Sequence, residues 1–348
     1  MATPHFVEQL DREDVLPSAA RDSAPERARY PWFRVLVRIV VDAILVLWGA
    51  ATLSFFVMQA LPGEPVDVLI TDPEAPQELR DQITREYGLD QPLWIQYVVF
   101  LGRLARGNLG QSFQLRKPVA DAIGAEMWPT ITLTVVAFFL AILIASIAAV
   151  LTSGRAKVAR ASASFIELTI ISVPTFWIGL LLLAAFSYTI PIFPDSGDRG
   201  PISLVLPAIT VAAAMIGTLA QILRQGMEST LGQPFILSAR SRGISETSVR
   251  VRHAYRHSML AGITLSAMFF GFLLGGAVIT ETIFARPGIG RLALSAINSQ
   301  DIPLVIGVVI FSSIAFVIVN SIVDLLYPLI DPRLRQVHVQ GGFTGRAA

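Results

Sequence analysis

The sequence predicts an all-α, polytopic membrane protein with six transmembrane helices and both termini in the cytoplasm. Three observations carry this. Charged residues make up only 15% of the chain and mean hydropathy is +0.60. Apolar residues gather into six blocks of bilayer-crossing length. The short polar segments between the blocks alternate between arginine-rich and arginine-poor.

The apolar runs fall near 36–61, 130–152, 165–190, 202–223, 260–284 and 303–328. At ~1.5 Å rise per residue, runs of roughly 20 to 28 residues cross an apolar layer of ~30 Å. Their continuity points to helices, since barrel strands alternate apolar and polar residues. Orientation follows from arginine. Arg27, Arg29, Arg34 and Arg38 precede the first run, and Arg155, Lys157 and Arg160 lie between the second and third. Arg224 and five further arginines lie between the fourth and fifth, and Arg333, Arg335 and Arg346 follow the sixth. The opposite loops hold only Arg199 in one case and Arg286 and Arg291 in the other.

The domain reading is a polar flexible tail over 1–33, a membrane domain over 34–335 and a second cytoplasmic tail over 336–348. The tail at 1–33 has Pro4, Pro17, Pro25 and Pro31 and charges of both signs, unlike a secretory signal. Residues 62–129 form a long outer loop. Within it "PQELRDQITREYGL" predicts a helix stopped at Gly88. "PLWIQYVVFLGRLARG" predicts an amphipathic helix that opens at Pro92, stops at Gly107 and lies at the outer interface.

The loop at 224–259 contains "PFILSARSRGISETSVRVRHAYRHSM". Pro234 suits the first turn of a helix, Gly243 a left-handed cap, and Ser245 the cap of a second helix with Glu246 in its first turn. That second helix runs into the fifth span. Arg252 and Arg256 are four apart, a like-charge spacing that costs a few tenths of a kcal/mol and so points to an anionic neighbour, lipid headgroup or protein.

This stretch resembles the cytoplasmic signature of permease subunits of ATP-binding-cassette (ABC) importers, in the dipeptide/oligopeptide/nickel group. Ala239, Arg240, Arg242, Gly243, Ser245, Val249, Arg252, His253, Ala254 and Arg256 carry the likeness. "LPGEPVDVL", "YGLDQPLWIQYVVFLGRLARGNLGQSF", "SVPTFWIGLLLL", "ETIFARPGIGRLALSAINSQDIPLVIGVVI" and "YPLIDPRLR" extend it over residues 33–335. Leu237, His257 and Ala261 depart from the group's pattern. The resemblance implies a type I importer permease fold in a bacterial inner membrane. It implies that this stretch, within the coupling loop 224–259, is the coupling helix, docking on an ATPase through Phe235 and the arginines. It further implies a second homologous permease subunit, two ATPase subunits and an extracytoplasmic solute-binding protein as partners. ATP and Mg²⁺ would then sit on the ATPases. Short peptides are the expected cargo; nickel, glutathione or another small solute is the alternative, and a stand-alone secondary carrier is a further one.

Other chemistry reads weakly. A phosphate-binding Gly-x-x-x-x-Gly-Lys-Ser/Thr loop is absent, so the chain is not expected to hydrolyse ATP. Net charge +1 points to no nucleic-acid partner, the lack of cysteine excludes thiolate sites, and His5, His253, His257 and His338 form no metal-ligand spacing, so no bound cofactor or metal is expected. "GIGRLA" follows an apolar run rather than a strand and reads as a turn. Pro174, Phe176 and Trp177 in the third run, and Gly271 and Gly275 in the fifth, are candidate pathway residues: proline kinks a helix, and small residues let helices approach closely. Asp42, Glu167, Glu281 and Asp324 lie near run ends, unlike the midplane acids of ion-driven carriers.

Overall fold

In a computed structural model, the described residues are 32–62, Val66, Ile70, 76–112 and 114–330. The expected tails, apart from the start of the first helix, and most of "LPGEPVDVL" lie outside them. Cα packing divides the chain into residues 1–38 and 39–348. The first unit contributes Trp32–Arg38, the opening turns of α1; all packing described below belongs to the second.

Helix α1 runs Trp32–Ala60. In the following loop α2 is Gln77–Tyr87, ended by Gly88 in a left-handed conformation (φ 65°), and α3 is Leu93–Ala105. Both match the sequence expectation. A two-residue antiparallel hairpin, β1 (Gln111–Ser112) with β2 (Lys117–Pro118), was not expected. Its Ser112 hydroxyl donates to the Asp301 carboxylate.

Helix α4 begins at Val119, well before the apolar run at 130, and ends at Thr152 with Pro129 inside it. The run understates the helix because Asp121, Gly124, Glu126 and Pro129 interrupt the apolar residues of its first turns. Val119, Ala122 and Ile123 are buried against Leu304 and Val308.

The third run, expected as one span with Pro174 as a kink, forms a sharply bent pair of helices. Helix α5 (Lys157–Ser172) and α6 (Thr175–Leu183), extended by a π-helical stretch at Ala184–Thr189, are bent 99° from each other. The cause is local. A residue before proline is driven out of the helical region, and Val173 sits at ψ 126° ahead of Pro174. Proline's missing N–H is harmless at the start of a new helix.

Helix α7 is Val205–Leu231, α8 Pro234–Ser241, α9 Arg256–Ile283, α10 Ile289–Asn298 and α11 Ile302–Ile330. Among the described residues, four helices are long and apolar enough to cross a membrane: Leu36–Ala60, Val119–Thr152, Pro201–Leu231 and Ile302–Leu325. The bent pair makes up to five.

The main core lies between α4 and α7. Leu133, Ala137, Ala141, Ala145 and Ala149, spaced four apart, form a stripe fully buried against Val211, Ala212, Met215, Leu219 and Met227. Small residues at that spacing let two helices approach closely, which substitutes for the hydrophobic drive that lipid does not supply. Gly217 of α7 plays the same part against α5. A Cβ there would stand 2.7 Å from Ile171 Cγ1 and 2.9 Å from the Glu167 carbonyl oxygen.

Candidate functional site

The arginine-rich loop is built from its apolar residues outward. In α8, Ile236 and Ala239 are three apart, hence on one face, and both are fully buried with Val249; Leu231 and Ile244 close the cluster. The opposite face leaves Phe235 40% and Leu237 68% exposed. Helix α8 ends at Ser241, and Gly243 (φ 76°) takes the left-handed turn that a β-carbon would strain. The Ser245 hydroxyl accepts from the Ser248 N–H at 3.4 Å, a long capping bond at the helical turn Glu246–Ser248.

The two arms of the loop are tied across the glycine. Arg240 Nε donates to Glu246 Oε1 at 2.7 Å and Arg240 Nη2 to Oε2 at 3.2 Å, a bidentate pair on an exposed surface. The guanidinium holds the Glu246 carboxyl below the usual carboxylate range. Arg242, Arg252 and Arg256 are exposed in the same loop, as is Phe235. The Phe235 and His257 rings are 5.4 Å apart. His253 is half-buried, and its Nδ1 has no hydrogen-bond partner among the described residues.

The second arm is a π-helical stretch, Val249–Tyr255, rather than the regular helix expected, and it passes into α9 without a break. The wider turn places Ala254 in the core beside Met227, and Tyr255 Oη 2.8 Å from Ser146 Oγ of α4. One turn on, Ser258 is buried against Gly226, where a Cβ would meet the serine hydroxyl at 3.0 Å. The loop and the start of α9 are thus anchored on α4 and α7.

Arg224, read from sequence as one more loop charge, is instead buried. Its Nε and Nη2 donate to the two Glu167 carboxylate oxygens at 3.0 and 2.6 Å, and Nη2 also to Ser164 at 2.9 Å. Glu228 lies 3.9 Å from Arg224 and 3.5 Å from Arg160. This network joins α5 to α7 just before α8, and sequence reasoning missed it. The signal was available: an acid in the third run and an arginine at the end of the fourth, each costly to bury alone.

At the end of the bundle opposite the arginine-rich loop, hereafter the outer side, Glu281 is fully buried. Its carboxylate accepts from Thr130 Oγ1 at 2.6 Å and from the backbone N–H groups of Gly290 and Arg291 at 2.8 and 3.2 Å. It therefore caps α10, the helix formed by "GIGRLA". Gly288 is required there, since any Cβ would fall within 2.4 Å of that carboxylate. Arg286 pairs with Asp198 at 3.2 Å, and the Gly197 N–H donates to the Phe284 carbonyl at 3.0 Å, locking two outer turns together.

Among the candidate pathway residues, Pro174, Phe176 and Trp177 are exposed, while Gly271 and Gly275 lie in α9 at positions whose surroundings fall outside the described residues. A cavity of about 600 Å³ is lined by Met127, Thr130, Ile289, Ala293, Phe311 and neighbours, and Pro174, Phe176 and Trp177 are not among them.

Residues 141–336 match the family model described as the binding-protein-dependent transport system inner membrane component, and residues 32–134 match the model of its N-terminal part. The chain belongs to this family. It is therefore an ABC-importer permease, an inner-membrane transport subunit rather than an enzyme. Curated relatives agree along nearly their whole length. A Brucella abortus (strain 2308) protein, provisionally named a peptide transport system permease, is 37% identical over 310 residues, covering 86% of this chain and 98% of the relative. The glutathione transport system permease protein GsiC of Escherichia coli (strain K12) is 31% identical over 301 residues, with the same coverage.

Proposed function

We propose that this permease forms half of the translocation pathway of an ATP-driven importer for short peptides, and that residues 234–256 are its ATPase-docking lever. The observation that carries the reading is the build of that loop. A short helix with Phe235, Leu237 and the arginines on its open face is closed onto its own second arm by Arg240 and Glu246, and that arm is continuous with α9.

Such a lever can transmit force in two directions. Displacement of α8 moves α9 through the unbroken π-helical stretch. It also moves α5 through Arg224 and Glu167, while the break at Pro174 leaves α6 free to respond differently. The full reading has six spans, with α9 as the fifth, both termini in the cytoplasm, a membrane domain over 34–335 and short tails. Partners are a second homologous permease, two ATPases that hold ATP and Mg²⁺, and a solute-binding protein on the outer face.

Short peptides are favoured because both relatives' names specify peptide-like cargo, glutathione itself being a tripeptide. Deleting the chain from its host and measuring uptake of labelled di- and oligopeptides beside glutathione tests this. Loss of peptide uptake, restored by the intact chain, is expected. Unchanged uptake of all three with loss of another solute would overturn the cargo reading.

A further inference from the structure

We propose that α3 is a membrane element: it lies in the outer leaflet with Leu93, Trp94 and Val98 against lipid acyl chains, instead of standing in the outer loop above the bilayer. This goes beyond the transport reading and does not depend on the cargo.

Depth is the first argument. Tyr97 Oη lies 2.7 Å from Thr52 Oγ1, and the Tyr97 ring packs 5.2 Å from Phe55 and 6.5 Å from Phe56. Phe100 adds a contact with Phe55 at 5.6 Å. Thr52 is eight residues before Ala60, the outer end of α1, so ~12 Å of helix rise separates them. Helix α3 is therefore held beside the apolar shaft of α1, below its rim. Gln96 fixes its rotation: Gln59 Nε2 donates to Gln96 Oε1 at 2.8 Å, and Gln96 Nε2 donates to the Leu89 and Gln91 carbonyls at 3.1 and 2.8 Å.

The outward face is the second argument. With Tyr97 and Gln96 turned toward α1, Leu93, Trp94 and Val98 are left 60, 69 and 61% exposed. That face continues the surface of α1, whose Leu53, Phe56 and Val57 are 66, 60 and 54% exposed and lie within a membrane-crossing helix. A protein partner would have to cover the α1 surface at the same depth, so lipid is the occupant that fits both.

The ends of the helix are the third. Asp90 and Gln91 precede it and are exposed. At the other end Arg103 lies 3.7 Å from Glu86 and 3.5 Å from the Tyr87 ring centroid, beside exposed Arg106. Polar groups at both ends and an apolar middle describe a helix lying along the leaflet, not crossing it. At 13 residues, ~20 Å, it is too short to span.

The test is depth-resolved fluorescence of the full-length chain in phospholipid vesicles, with Trp32, Trp48, Trp128 and Trp177 replaced by Phe so that Trp94 reports alone. Lipids brominated near the headgroup end of the acyl chain should lower Trp94 emission to about half or less, and more than lipids brominated near the methyl end, as for a helix ~5–10 Å below the headgroups. A second reporter, V98W in the same background with Trp94→Phe, should behave alike. Emission at water-exposed wavelengths with no quenching by either lipid, at both positions, would overturn the proposal. So would quenching that disappears when the purified partner subunits are added.

Discussion

Arg224 and Arg240 make similar bidentate contacts with glutamate, yet their surroundings separate them. Arg224 and Glu167 are each 7% exposed at the side chain, so removing one leaves the other charge buried and unpaired. Arg224→Ala should cost about 3–5 kcal/mol and lower the detergent-solubilised melting temperature, whereas Arg240→Ala should leave it within error. Differential scanning fluorimetry of the two variants beside wild type distinguishes them. For Glu246 the sign is fixed by its depressed pKa. Its pairing is fully present above the ordinary carboxylate range and is lost only as pH falls through the lowered folded value. Amide exchange of the loop, measured by mass spectrometry, should therefore be insensitive to this pair across ~pH 6 to 8, and should lose protection on acidification more in wild type than in Glu246→Gln. The Arg224 pairing was hidden in the sequence because positive-inside counting treats every arginine near a run end as a loop charge.

At the scale of elements, glycines divide into those that hold two helices together and those that shape a turn. Gly217 faces the α5 backbone, so Gly217→Ala should push α5 from α7 and destabilise by about 1–3 kcal/mol. Gly49, with nothing within 4 Å of an added Cβ, should accept alanine without loss. A thermal-shift comparison of the two checks the contrast. Gly243 also has open space around it, so only its positive φ matters. Gly243→Val should strain the turn by about 1–2 kcal/mol. The expected outcome is normal membrane abundance with ATP hydrolysis no longer matched to uptake, read by paired ATPase and transport assays in vesicles. Helix ends at Gly88 and Gly243 were legible in the sequence because a left-handed cap has a residue signature. The 99° break at Pro174 was legible only as a kink, since proline marks where a helix is interrupted but not how the two pieces then pack. The π-helical stretch at Val249–Tyr255 has no signature in its residues; packing of Ala254 and Tyr255 against α4 and α7 sets it.

Across the whole molecule, apolar runs and motif order revealed the class and family, because bilayer thickness imposes a length that any sequence must display. The details that function needs were less visible. The start of α4 at Val119 was obscured by Asp121, Glu126 and Pro129, and the seating of α3 on α1 depends on Tyr97 and Thr52, residues 45 apart in sequence. Glu281, noted only as an acid near a run end, proves to be the cap that holds α10 between α9 and α11. Two connections emerge from these contacts: loop to α9 through the π-helical stretch, and loop to α5 through the Arg224 pair. The most direct test of the central claim is capture of ATPase subunits by the tagged full-length chain in mild detergent, wild type beside Phe235→Arg. Phe235 is 40% exposed, so the substitution should leave the fold intact. The account predicts that wild type brings down ATPases and a second permease, and that the variant retains the permease and loses the ATPases. Equal ATPase recovery by both would contradict it.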